Sequence, residues 1–343
     1  MDDRNELSWT SLLQGLVESE AFHGVFHVYH QMWQEKVHCS KYTLVPLVTC
    51  CTRLGYVEEG LQIHGEIIKL GFEKDKFLCN GLVSMYLRCG CLIECEELFL
   101  NSLNYDVISW TSVLVGYLDA GLLEKALNLL ERMQCEGVAP DRITCISGWK
   151  ACGDIKAPNI GQNLHSFAFK VGLEMDISLE NALVYMYAKC GFLEEAEYVF
   201  ENVDIRDVIT WTALSGGYVD HGLGNRALSC IEQMEIEGIA CDTFVLVLAI
   251  KACGNAIGTI SKGYCVHAEV VKQGFDSLPF VGSALIGLYY KYNFITEANG
   301  VLNTLALRDT VSWNTMISGY IEIGFSEEAL RCLQEMQLEG VTQ

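Results

Sequence analysis

Trp9, Trp110, Trp211 and Trp313 are spaced 101, 101 and 102 residues apart, and each sits in nearly the same phrase: LSWTSLLQG, ISWTSVLVG, ITWTALSGG and VSWNTMISG. A fixed period of this kind specifies an array of stacked units, each burying its apolar face against its neighbours. The repeat overrides the two or three separate domains that 343 residues would otherwise suggest. It also sets where function is to be sought: at a surface position that recurs from unit to unit.

Each block of about 101 residues divides into units of 35, about 35 and 31 residues. The boundaries fall at 6–40, 41–75 and 76–106; 107–141, 142–176 and 177–207; 208–242, 243–278 and 279–309; and a final unit at 310–343. The unit at 208–242 reads as two helices. Apolar residues recur at helical spacing from Val208 to Val219, Gly222 breaks the run, and a second amphipathic segment from Arg226 to Ile236 ends at Glu237-Gly238, with glycine at the C-cap. The second units share another phrase, EEGLQIHGEIIKLGFEKD, NIGQNLHSFAFKVGLEMD and SKGYCVHAEVVKQGFDSL. The third share NGLVSMYLRCGCLIECEELF, NALVYMYAKCGFLEEAEYVF and SALIGLYYKYNFITEANGVL.

Half the residues are hydrophobic and only four are proline, a composition suited to continuous helices and far from that of a disordered chain. No apolar run of membrane-spanning length is free of charge. The opening MDDRNELSWT is acidic and reads neither as a signal peptide nor as a basic transit peptide. The sixteen cysteines form no paired CxxC knuckles. Cys51, Cys152 and Cys253 share one repeat position; Cys89 and Cys190 share another, where the third copy has Tyr292. They read as small buried hydrophobes in a reducing compartment. The formal charge of −21 weighs against a nucleic-acid partner, since affinity for phosphate backbones is mostly cationic.

The [VI]-x-[ST]-W-[NT] opening, the GY late in the first helix, EAL…EM in the second and G-[VI]-x-x-D at the close resemble a pentatricopeptide repeat. The alternation of 35, about 35 and 31 residues, with the IH…K-x-G-F and MY-x-[KR]-CG phrases, resembles the plant PLS subclass of that family, with P-, L- and S-type units in order over residues 6–343. The tetratricopeptide repeat, with a 34-residue unit and a different signature, fits neither the lengths nor the phrases. The resemblance implies an all-α fold, a right-handed α-solenoid of helix-turn-helix repeats. It also implies single-stranded RNA as partner, with one base read per unit by two or three side chains.

What the resemblance implies about residues runs by position within the unit. Position five and the closing residue read the base: Thr10 with Ser40, Thr111 with Asp141, Thr212 with Asp242, and Asn314 in P-type units; Asn80 with Asp106, Asn181 with Asp207, and Ser283 with Asp309 in S-type units. Position two sandwiches the base: Leu7, Ile108, Ile209 and Val311, with Phe77 and Phe280 in two S-type units and Ser178 departing in the third. The family's code turns these pairs into an RNA carrying a U-G-x-U-G core. The x falls at L-type units, whose fifth residues Val45, Ile146 and Val247 offer a base edge no hydrogen bond. Arg88, Lys189 and Lys291 at position thirteen are the expected phosphate contacts, whereas P-type units carry Glu18, Asp119, Asp220 and Glu322 there.

The same residue types have ordinary structural uses. Threonine and asparagine in a first turn, and aspartate closing a unit, are common helix caps. The tryptophans at position four read as packing between units. His64, His165 and His267 read as packing or helix-terminal residues, and His23, His27 and His30, on one helix face of a single unit, make a poor metal site. Neither cofactor nor catalytic activity is expected. The E and DYW extensions that carry chemistry in PLS proteins, the latter resembling a zinc deaminase with H-x-E…C-x-x-C, do not follow the incomplete last unit, which ends Glu339-Gly340-Val341-Thr342-Gln343. The expected role is C-to-U editing of mitochondrial or chloroplast transcripts, with a deaminase recruited in trans. RNA stabilisation or processing, an acidic protein-interaction scaffold, and a decayed duplicate are the alternatives.

Overall fold

A computed structural model of the chain describes residues 6–101, 106–256 and 258–341, with the side chains of Leu100 and Asn101 excepted. The acidic first five residues, the 102–105 stretch that precedes the close of the third unit, and the last two residues of the tenth lie outside them.

The described residues form twenty α-helices and no strand, arranged as ten hairpins. In order these are α1 (Glu6–Glu18) and α2 (Phe22–Gln34); α3 (Lys41–Leu54) and α4 (Val57–Lys69); α5 (Lys76–Arg88) and α6 (Leu92–Asn101); α7 (Val107–Asp119) and α8 (Leu123–Cys135); α9 (Arg142–Ile155) and α10 (Pro158–Lys170); α11 (Ile177–Cys190) and α12 (Leu193–Glu201); α13 (Val208–Asp220) and α14 (Gly224–Ile236); α15 (Thr243–Asn255) and α16 (Ile260–Lys272); α17 (Pro279–Lys291) and α18 (Ile295–Thr304); α19 (Thr310–Glu322) and α20 (Ser326–Leu338). In the unit at 208–242, Gly222 and Gly238 stand just past the two helices at φ of 74° and 80°, where a side chain would be strained. The second helix starts at Gly224, two residues before the amphipathic pattern begins.

The short units are short for a visible reason. Their second helices, α6, α12 and α18, have 10, 9 and 10 residues, where α2, α8 and α14 each have 13.

The chain divides into two compact units, residues 1–155 with 159–173, and residues 156–158 with 174–343. In the first, α1, α3, α5, α7 and α9 pack side by side in a row; in the second, α11, α13, α15, α17 and α19 do the same. Each row is built tightly where a 31-residue hairpin meets the next. The glycine of the GY phrase is Gly116, Gly217 or Gly319, and a Cβ there would collide with Leu87, Ala188 or Tyr290 on the preceding first helix. All four periodic tryptophans are at most 3% exposed, and Trp110 and Trp211 pack across these junctions. Trp110 meets the ring of Phe99 edge-on at 4.7 Å, and Trp211 meets Phe200 in the same way at 4.7 Å.

The IH and MY phrases interlock. His64 Nδ1 lies 2.7 Å from the Tyr86 hydroxyl, and His267 Nδ1 lies 2.6 Å from that of Tyr289, joining each IH helix to the MY helix that follows. His165 packs edge-on against Trp149 within its own hairpin. Burial lowers the pKa of all three imidazoles below the ordinary histidine value. Of the repeated cysteines, Cys51, Cys152 and Cys253 are buried and Cys89 and Cys190 half-buried; burial pushes the Cys51 and Cys253 thiols up to about 12 and about 11, away from the thiolate that metal binding or nucleophilic attack would need.

A pH dependence follows from the histidines. Unfolded imidazoles take up protons as pH falls through about 6.5, while the folded ones resist, so the unfolded state binds more protons. Stability is therefore fully present above about pH 6.5 and declines below it. Thermal melts at pH 7.5 and 5.5 should show the lower midpoint in acid, and replacing His64, His165 and His267 together with Gln should shrink that difference.

Candidate functional site

The first helices begin with a recurring set of side chains: an apolar residue at position two in nine of the ten, a buried hydroxyl (five hairpins) or a buried apolar residue (four) at position three, tryptophan or another residue at four, and the candidate reading position at five. Because the first helices lie side by side in each compact unit, these positions line up across neighbouring hairpins.

Position two is exposed in every hairpin except that of the half-buried Ser178. Leu7, Phe77, Ile108, Ile209, Phe280 and Val311 are all between 42% and 78% exposed. Tyr42, Ile143 and Phe244 of the second units fall in the same range, although sequence reasoning passed over them. Their shared offset from the unit start was the signal that could have found them. Only Ser178, among these positions, is polar. Exposing so many large apolar side chains in register costs solubility and calls for a ligand with flat apolar faces.

Consecutive position-two residues bound grooves. Ile108 and Ile143 flank one of about 820 Å3, with Thr111 and Asp141 on its floor and Arg88 and Asp119 farther along it. Tyr42 and Phe77 flank another of about 410 Å3, floored by the apolar Val45. Phe244 and Phe280 stand 6.0 Å apart at 32°. An aromatic ring stacked between them needs roughly 7 Å, twice a carbon contact distance of about 3.5 Å, so they must part slightly to admit one.

The closing residues are helix caps. Asp106, Asp207, Asp242 and Asp309 each accept the backbone N–H three residues on in the next helix, and Asp141 accepts that of Thr144 at 2.8 Å. Ser40 occupies the cap of α3 without such a bond. Three closing carboxylates also contact the position-five residue of their own unit. Asn80 Nδ2 donates to Asp106 at 3.3 Å, Asn181 Nδ2 to Asp207 at 3.1 Å, and the Thr111 hydroxyl lies 3.3 Å from Asp141. Burial pushes the Asp106 and Asp207 carboxyls up, but the amides and hydroxyls of Ser109 and Thr210 and the Asn side chains outweigh it and leave both below the ordinary carboxylate value.

The other pairs are not joined in this way. Thr10 reaches Thr43 at 3.1 Å, and Thr43 in turn lies 3.5 Å from Ser40. Thr212 and Ser283 bond the carbonyls of Val208 and Phe280 on their own helices, as Thr111 also does at Val107, and make no hydrogen bond to their closing aspartates. Asn314 is exposed.

Position thirteen holds a surprise for the simple picture of cationic contacts. Lys189 is ion-paired to Asp220, the position-thirteen residue of the next hairpin, at 2.5 Å. Lys291 donates to Asn255 at 2.9 Å. Arg88 shares a groove with Asp119. Asp220 is thus a counterion to the cation of the hairpin before it, and Asp119 stands near Arg88 in the same way.

Profiles of pentatricopeptide repeats match this chain at residues 105–151, described as the PPR repeat family, and at 43–72, 77–101, 181–204, 209–239 and 311–341, described as the PPR repeat. The chain belongs to the pentatricopeptide repeat family. A mitochondrial pentatricopeptide repeat-containing protein of Arabidopsis thaliana is 30% identical over 97% of this chain, and a chloroplastic one is 30% identical over 99%. The chain spans 48% and 55% of those relatives' own lengths. Crystal structures of the maize pentatricopeptide repeat protein PPR10, alone and with an 18-nucleotide psaJ RNA element, align at 17% and 16% identity with TM-scores of 0.43 and 0.46, covering 99% and 98% of this chain and 65% and 69% of theirs.

Proposed function

We propose that the chain is a sequence-specific single-stranded RNA-binding array of the PLS kind, its ten units placed as the phrase boundaries divide them. The observation that carries this is the groove between Ile108 and Ile143, with the Thr111–Asp141 pair on its floor. Two branched apolar walls suit the faces of one unstacked base, and a hydroxyl beside a carboxylate suits its edge. The residues assigned to reading are those named by position above: Thr10, Ser40, Asn80, Asp106, Thr111, Asp141, Asn181, Asp207, Thr212, Asp242, Ser283, Asp309 and Asn314. Tyr42, Ile143 and Phe244 join the earlier position-two set as walls. Arg88, Lys189 and Lys291 are assigned to phosphates.

The favoured biological role is targeting of organellar transcripts for C-to-U editing, with the deaminase supplied by another protein. The mitochondrial and chloroplastic relatives support the organelle. The test is an anisotropy titration with RNA bearing U-G-x-U-G and with a scrambled RNA, each at low and moderate salt. Tight binding lost on scrambling is the expected result; equal binding of both RNAs would sink the reading. A residue-level check goes with it. Asn181→Thr, with Asp207 kept, should move the preference of that one unit from U toward G by about tenfold, the worth of one to two hydrogen bonds, and leave the other nucleotides unchanged.

A further inference from the structure

Eight polar residues are buried among the described residues: Thr43, Ser109, Thr111, Thr144, Asn181, Thr210, Ser215 and Ser312. Thr111 and Asn181 are reading residues, and Ser215 bonds to the carbonyl of Trp211 in its own helix. The other five all occupy position three of a hairpin, at most 1% exposed. A buried hydroxyl is kept at a cost unless it is bonded, so five at one repeated position call for a shared use.

Their partners show that use. Thr210 Oγ1 lies 2.6 Å from the Asn181 amide oxygen and 2.9 Å from Asp207 Oδ1. Ser109 Oγ makes the same two contacts, to the Asn80 amide oxygen and to Asp106 at 2.9 Å. Thr144 Oγ1 lies 2.7 Å from both the Thr111 hydroxyl and Asp141. In each case the hydroxyl of one hairpin touches both reading residues of the hairpin before it.

The chemistry of the three groups fixes their directions. A carboxylate only accepts, so Asp207 must face the Asn181 NH2. The amide oxygen then faces Thr210, whose single hydroxyl proton is shared between that oxygen at 2.6 Å and Asp207 Oδ1 at 2.9 Å. The amide cannot turn over without breaking both bonds. It is left with one N–H and one lone pair to offer a base, on a known side.

The sequence distributes these hydroxyls in step with the reading residues. Hairpins that follow a P-type or S-type unit carry Thr43, Ser109, Thr144, Thr210 and Ser312 at position three. Hairpins that follow an L-type unit, whose fifth residue is apolar, carry Leu78, Leu179 and Val281 there. One junction breaks the pattern. Val245 follows the Thr212–Asp242 pair and offers Thr212 no hydroxyl; Thr212 bonds the Val208 and Ile209 carbonyls of its own helix, whereas Thr111, which bonds the Val107 carbonyl in the same way at 2.8 Å, also lies 2.7 Å from the Thr144 hydroxyl. Ser283 turns to Phe280 although Ser312 is present, with Ser312 held by Asp309 at 2.6 Å.

We propose that the position-three hydroxyl of each following hairpin is a positioning residue for base selection, orienting the reading residue of the hairpin before it. Specificity at one nucleotide then depends on three side chains, the third of them in the next unit. This rests on the groove reading RNA bases, as proposed above.

The test is nucleotide preference at single positions, measured with RNA sets varied at one site, on the full chain. Thr210→Val keeps the side-chain shape and removes the hydroxyl. It should cut the base preference at the Asn181 nucleotide by about fivefold, as one hydrogen bond is worth, and leave the preference at the Thr111 nucleotide intact. Thr210→Ser should restore it. Because Thr210 also completes a capping box, a loss of stability alone would be uninformative, so preference and not affinity is read. Val245→Thr supplies a gain: the Thr212 nucleotide should become more sharply selected, again by about fivefold. If the wild-type protein discriminates bases and neither Thr210→Val nor Val245→Thr alters the preference at its site, the proposal is overturned and the RNA reading stands. A wild-type protein that binds RNA without base preference overturns both.

Discussion

Neutralising two position-thirteen carboxylates, by Asp119→Asn together with Asp220→Asn, is expected to tighten RNA binding by roughly 25-fold at low salt. Two unit charges about 4 Å apart interact by about 1 kcal/mol in a water-like dielectric, or roughly fivefold in affinity, and two such charges multiply. The side chains are partly exposed, which keeps the effect near that lower bound. Asp220 acts twice. It repels an incoming phosphate, and at 2.5 Å it already occupies the Lys189 ammonium that the phosphate would use. Its removal frees that cation, so the salt dependence should steepen as the affinity rises. Asp119 stands in the Ile108–Ile143 groove with Arg88 and acts there by repulsion. The gain should shrink as salt approaches physiological strength, where exposed charges are screened over about 8 Å. Titrations at two salts decide the matter. Unchanged affinity would mean that phosphates run elsewhere, and weaker binding would mean that Asp220 is needed to aim Lys189.

The Lys189–Asp220 pair illustrates what a one-dimensional pattern leaves out. Position thirteen read along the chain gives acid in one unit and base in another, which suggests conflict. In space Lys189 and Asp220 are neighbours because successive first helices lie side by side. The hairpins themselves were legible, since the 101-residue recurrence and the helical spacing of apolar residues both follow from stacking. The GY glycines were visible as a phrase, and their reason, the closeness of Leu87, Ala188 and Tyr290, needed the packing. The proposed reading pairs came from family resemblance and not from physics, because Asn80 or Thr111 taken singly looks like any first-turn residue. The position-three hydroxyls were hidden for a related reason. Ser109 and Thr210 sit where a capping residue belongs, and only their contacts with the preceding hairpin distinguish a second use.

The periodic tryptophans and the neighbouring position-two residues separate stability from recognition most cleanly. Trp211 is 3% exposed and packs edge-on against Phe200 across the junction between two hairpins, whereas Ile209, two residues earlier, is 58% exposed. Trp211→Ala removes a large buried side chain and leaves a cavity, at a cost of about 3–5 kcal/mol. In a stacked array that loss is felt first at the local interface. Hydrogen exchange should therefore quicken in α12, α13 and their immediate neighbours before the ends of the chain respond. Ile209→Ala removes mostly exposed surface and should alter stability by no more than about 0.5 kcal/mol. It should weaken RNA binding instead, by loss of one wall of a base sandwich worth about 1–3 kcal/mol per stacked base. The two variants together test the assignment of wall and core. If Trp211→Ala leaves urea unfolding unchanged but abolishes binding, the tryptophan is part of the recognition surface and the packing account of the 101-residue period fails.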